Sequence, residues 1–140
     1  MKLIKHLTLA VVLLAAGATS VQAQNVKVPH AYMFGFVASF NDSTVYFTNI
    51  QKVDSAWVTK KKSMLAGRNN YSYQLREFFA QKRNMPNRTC VVVANVDRKK
   101  LEKKYAKMKN KYLVKSKKPY DVRNIADSDF QFTAVDMSND

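Results

Sequence analysis

With 24 Lys and Arg against 10 Asp and Glu in 140 residues, and a formal net charge of +14, this chain carries a positive field that favours acidic partners on electrostatic grounds alone. Its one cysteine allows no intrachain disulfide, and its three glycines leave no phosphate-cradling loop and no glycine-flanked serine nucleophile. Two histidines and that cysteine fall short of a zinc tetrahedron, and no spaced run of acids forms a calcium loop, so no catalytic, metal-binding or cofactor-binding residue is read from the sequence.

The chain opens as a secretory signal. Lys2 and Lys5 form a positive start, and the run Leu7 to Ala16 is apolar but for Thr8. Ten helical residues rise only about 15 Å against a hydrocarbon core of roughly 30 Å, which suits a signal segment and not a transmembrane anchor. Small residues then lead to Val21-Gln22-Ala23. Cleavage after Ala23 is expected, giving a signal peptide of residues 1–23 and one domain of residues 24–140 with short flexible ends. The mature chain keeps a formal charge of +12 once Lys2 and Lys5 are gone.

Residues Ala31 to Phe40 are apolar on both alternating faces, the pattern of a strand that is covered on both sides or lies centrally. Asn41-Asp42-Ser43 reads as a turn, and Thr44 to Ile50 as the returning strand. Val53 to Leu65 reads as an extended edge or a loop anchored by Trp57. Tyr71, Leu75, Phe78 and Phe79 fall at helical spacing, with Asn70 or Ser72 able to cap the helix and Pro86 marking its end.

Cys90 to Val96 is a β-branched run and the candidate central strand. Asp97 caps a second helix along which Leu101, Tyr105, Met108 and Tyr112 recur. Tyr120 to Ile125 and Phe130 to Val135 supply the last one or two strands, separated by a turn at Asp127-Ser128-Asp129. The expected fold is α+β, in the order ββαβαβ(β): a two-layer sandwich with both helices on one face of a mixed or antiparallel sheet. If the strands from Cys90 and Tyr120 are parallel neighbours, the helix between them crosses over right-handed.

The second helix is the strongest functional signal. Between Arg98 and Lys118 lie eleven of the mature chain's 22 basic residues, opposed only by Glu102. With the apolar stripe turned to the sheet, Lys99, Lys100, Lys103, Lys104, Lys107 and Lys111 are expected on an outward face, where like charges at i and i+4 repel. They are candidates for contact with a polyanion: an acidic envelope polymer, an anionic lipid headgroup or an acidic protein. The same lysines would equally serve as a solvated face. Lysine far outnumbers arginine here, which fits diffuse attraction and argues against sequence-specific nucleic-acid readout.

Other features point to structure. His30, the sole mature histidine, has no nucleophile beside it, and Cys90 sits in an apolar strand run. The aromatics match core positions better than a stacking platform. Asp42, Asp54, Glu77, Asp121 and Asp129 could form a hydrolytic carboxylate pair only if the fold brought two together. The edge from the second strand to Trp57 is the candidate for recognition by strand addition.

The stretch HAYMFGFVASFNDSTVYFTNIQ, with NYSYQLREFFAQK and PNRTCVVV, resembles small secreted proteins of Bacteroidales gut bacteria that carry no assigned function. The resemblance spans nearly the whole mature chain and brings no catalytic residue. It implies a Gram-negative periplasm or secretion beyond it, and O-glycosylation at Asp54-Ser55-Ala56 or Asp42-Ser43-Thr44.

Overall fold

A computed structural model describes residues 24–138, so the expected signal peptide and its cleavage after Ala23 lie outside the described residues. The elements run β1 (Asn25–Ala38), β2 (Thr44–Thr48), β3 (Gln51–Thr59), α1 (Arg68–Lys82), β4 (Thr89–Asn95), α2 (Arg98–Asn110), a π-helical turn (Lys111–Lys115) and β5 (Asp121–Ile125). The class is α+β with a mixed sheet, as expected. Among the described residues no helix is long and apolar enough to cross a membrane.

β1 is the central strand. Phe36 pairs with both Phe47 and Val91, and Met33 with both Gln51 and Ala94, so β4 flanks one side of β1 and β2 with β3 the other. β5 completes the sheet by running parallel to β2, from Thr44 opposite Asp121 to Thr48 opposite Ile125. The β-branched run of β4 is therefore an edge strand, not the centre, and β4 and β5 lie on opposite edges instead of pairing. A β-branched composition reports half-buried pleated surface, and either position offers that.

The segment from Val53 resolves as the strand β3, so three strands precede α1. β2 and β3 follow one edge of β1 with a one-residue slip in register: Phe36 faces Phe47, but Met33 faces Gln51. The extra residue is a β-bulge. At the bulge the Gly35 N–H donates to the Thr48 Oγ1 at 2.8 Å, a side chain taking the place of a ladder carbonyl.

The helices occupy opposite faces, which corrects the two-layer expectation. Met33, Val37, Tyr46 and Val92 pack with Tyr71, Leu75 and Phe79 of α1. Phe34, Val45 and Phe47 pack with Leu101, Tyr105 and Met108 of α2. Adjacent strand residues point to opposite faces, so alternation along β1 and β2 feeds two separate cores in a three-layer arrangement.

Residues 130–135, expected as a last strand, join no ladder. Phe130 and Phe132 are buried over α1, and two glutamines supply the backbone partners a neighbouring strand would have given. Gln51 donates to the Phe130 carbonyl at 2.9 Å and accepts from the Phe132 N–H at 2.8 Å; Gln74 does the same for both groups of Thr133 at 2.8 Å. α1 starts three residues before Tyr71, after Gly67 in the left-handed region (φ 76), and neither Asn70 nor Ser72 caps it. Its C-terminus closes through Asn84, also left-handed, with the Met85 N–H reaching the Phe79 carbonyl at 2.8 Å.

Candidate functional site: a lysine stripe on α2

α2 begins as expected. The Asp97 carboxylate accepts from the N–H groups of Lys99 at 3.0 Å and Lys100 at 3.3 Å, satisfying two donors that the first turn leaves free. Its buried side is held by Leu101 and by the Tyr105 hydroxyl, which donates to the Thr48 carbonyl at 2.8 Å. An aromatic cluster locks the far end: the Tyr112 ring lies 5.1 Å from Phe36 and 5.0 Å from Tyr120. Burial there, with Tyr120 adding to it, raises the Tyr112 phenol above its ordinary range.

Lys100, Lys103, Lys104, Lys107 and Lys111 come together with Lys115 and Met108 around one shallow groove of about 670 Å³. The candidate Lys99 does not line it. Lys100, Lys104, Lys107 and Lys111 each precede a residue of the apolar stripe by one position, namely Leu101, Tyr105, Met108 and Tyr112. A step of one residue turns a helix by about 100°, so the two stripes run side by side. The amines therefore occupy a flank of α2 and not the face opposite the core, and Met108 belongs to both stripes.

None of these lysines is in an ion pair among the described residues. The one acid of the helix, Glu102, is taken by Arg98 at 2.9 Å. Aliphatic lysine stems cover the groove walls while their ammonium groups stay in water. Lys109 differs: its Nζ stands 4.6 Å from the Tyr105 ring centre, on the aromatic side of the helix.

The five carboxylates named as hydrolytic candidates are each occupied locally. Asp42 binds Arg88, Asp54 lies 3.9 Å from Lys52, Asp121 is 2.8 Å from Arg123, and Asp129 is 3.5 Å from Arg83. Glu77 accepts from Gln81 at 2.8 Å. The Thr44 backbone N–H, and after it the Arg88 guanidinium, hold the Asp42 carboxyl below its usual range. The strand-addition edge is also interrupted: β5 covers β2, Leu65 bridges Val58, and the Ala66 N–H takes the Trp57 carbonyl at 2.9 Å.

A second cleft of about 520 Å³ lies between α1 and the start of β4, with Asn69, Tyr73, Arg76, Arg88 and Cys90 in its wall. Burial pushes the Cys90 thiol up to about 11, against a smaller downward pull from Arg76 and Arg88. Labelling of Cys90 by a disulfide reagent near neutral pH is expected to be on the order of 100-fold slower than that of an unburied thiol, because the thiolate is the reactive form. Equal rates would show that the thiol is open to solvent. His30 packs edge-on against Tyr32 at 5.3 Å.

Sequence reasoning passed over two exposed apolar side chains, Leu113 at 62% exposure and Val114 at 73%, and misplaced Phe40, which was expected in the covered strand but lies beyond the end of β1 at 101% exposure. For the first two the available signal was their place off the Leu101–Tyr112 stripe, where apolar residues gain nothing from the core. No protein-family model, curated protein or solved structure matches the chain.

Proposed function

We propose that this chain is an exported, non-enzymatic binding domain that attaches to a polyanion through the flank of α2. The observation that carries the reading is the gathering of Lys100, Lys103, Lys104, Lys107, Lys111 and Lys115 around one groove, none of them in an ion pair among the described residues. A helix that tolerates such repulsion gains stability when an external anion lies along it. The compartment expected from the signal segment, outside the cytoplasm, offers acidic glycans and anionic headgroups. Lysine's compact, mobile charge suits a ligand recognised by charge density instead of by bidentate geometry.

The test is heparin binding measured against ionic strength, for the wild type and for a variant with Lys103, Lys104 and Lys107 all changed to Gln. Wild-type affinity is expected to weaken steeply with salt, and the variant to bind at least tenfold more weakly with a shallower salt slope. Binding that ignores salt, or that survives the triple substitution unchanged, removes α2 from the function.

A further inference from the structure

The same end of the sheet gathers the fully exposed Phe40 and the exposed pair Leu113–Val114. β1 ends at Ala38 opposite the first residue of β4, and β2 begins at Thr44 opposite the first residue of β5. The loop between β1 and β2, which carries Phe40, is tied to β5 by the Asp121 N–H donating to the Ser43 carbonyl at 2.9 Å. α2 runs back along the sheet toward this end, and Tyr112 docks on Phe36 and Tyr120 there. The π-helical turn that follows presents Leu113 and Val114 outward.

Cations surround this apolar tip. Lys111, Lys115, Lys117 and Lys118 are all exposed, and Lys107 and Lys111 join it to the stripe. The neighbouring acids add no free negative charge, because Asp42 is bound to Arg88 and Asp121 to Arg123. Apolar side chains that protrude singly into water beside ammonium groups are poorly suited to a dry protein interface. They match a bilayer boundary, where a few large apolar groups enter the acyl region and lysines contact anionic headgroups.

We infer that this end of the molecule docks on an anionic lipid surface, with Phe40, Leu113 and Val114 inserted at the headgroup boundary and the lysines of the π-helical turn and adjoining α2 holding the headgroups. The inference rests on the polyanion reading above and names the polyanion as a membrane. It separates two contributions that a soluble acidic polymer would not need together. Lysines supply salt-sensitive attraction, and the apolar tip supplies a component that persists at high salt and requires a bilayer.

The experiment is flotation of the chain from Gln24 onward, which holds every element of both cores, with vesicles of phosphatidylcholine alone and of phosphatidylcholine doped with phosphatidylglycerol. Wild type is expected to float with the anionic vesicles and not with the neutral ones. A variant carrying Phe40→Ser, Leu113→Ser and Val114→Ser, all at exposed positions, should partition about tenfold less while holding heparin as tightly as wild type. The triple lysine variant should bind both ligands at least tenfold more weakly. If the serine variant floats as wild type does, or if wild type binds heparin but no vesicle, the membrane inference is overturned and the polyanion reading stands. If wild type binds neither heparin nor anionic vesicles, both fall together.

Discussion

Phe47→Ala is expected to lower the unfolding free energy by about 3–5 kcal/mol, the range for emptying a buried aromatic site, as read from denaturant midpoints. Phe47 is completely buried, and its ring sits 5.0 Å from Phe36, 5.9 Å from Tyr105 and 6.3 Å from Tyr112. It is thus the point at which the sheet grips α2 and the turn beyond it. A thirteen-residue helix is marginal in water, and seven basic residues against one acid weaken it further, so α2 depends on this docking. Hydrogen exchange should show α2 amides losing protection ahead of those in α1. Unchanged protection of α2 in the variant would mean that something other than the Phe47 cluster holds the helix.

On the other face, Leu75→Ala is expected to cost about 2–5 kcal/mol, and the cost should depend on what stands at position 35. A Cβ on Gly35 would lie 2.4 Å from the Leu75 Cδ2, with Phe132 and Thr48 side-chain atoms next at 3.4 Å. Leu75 is itself fully buried and has little room to move aside, so Gly35→Ala alone should cost about 1–3 kcal/mol by overpacking. The two changes are complementary in volume, and the double variant should be less destabilised than the sum of the singles. Strict additivity in the cycle would place the strain at Gly35 elsewhere, with the Thr48 hydrogen bond at the bulge the first place to look.

The two faces explain why part of the fold was readable and part was not. Tyr71, Leu75 and Phe79 announced α1 at a spacing of four, and all three are buried. Asp97 announced the start of α2, and its carboxylate makes the two bonds expected of a cap. Phe40, read as part of the same strand as Ala31 to Ala38, lies beyond it and is exposed, whereas the apolar character of both faces from Ala31 to Ala38 held the information that β1 is covered on both sides. The two-layer expectation passed over it because no local pattern says which helix covers which face.

The C-terminal segment misled for a related reason. Phe130 and Phe132 alternate as a strand does, but their backbone partner is the side chain of Gln51, and that of Thr133 is Gln74, about 80 and 60 residues away. The lysines were visible as a count, and their relation to Leu101, Tyr105, Met108 and Tyr112 as a period. That the two stripes adjoin followed from helix geometry, whereas the shared groove, and the lack of ion pairs to these lysines among the described residues, depended on where β3, β5 and the loops placed their carboxylates.

By itself, the sequence determined what neighbours within a few residues decide: the period of each helix, the cap at Asp97, the positive charge, and a fold that stands without an intrachain disulfide. Only the tertiary structure decided that β1 is central, that the helices lie on opposite faces, and that the loop carrying Phe40 lies at the end of the sheet toward which α2 runs. Those outcomes turn on pairings between residues far apart in the chain, where one strand offers two equivalent edges and two equivalent faces. The choice among them belongs to the packing of the whole molecule.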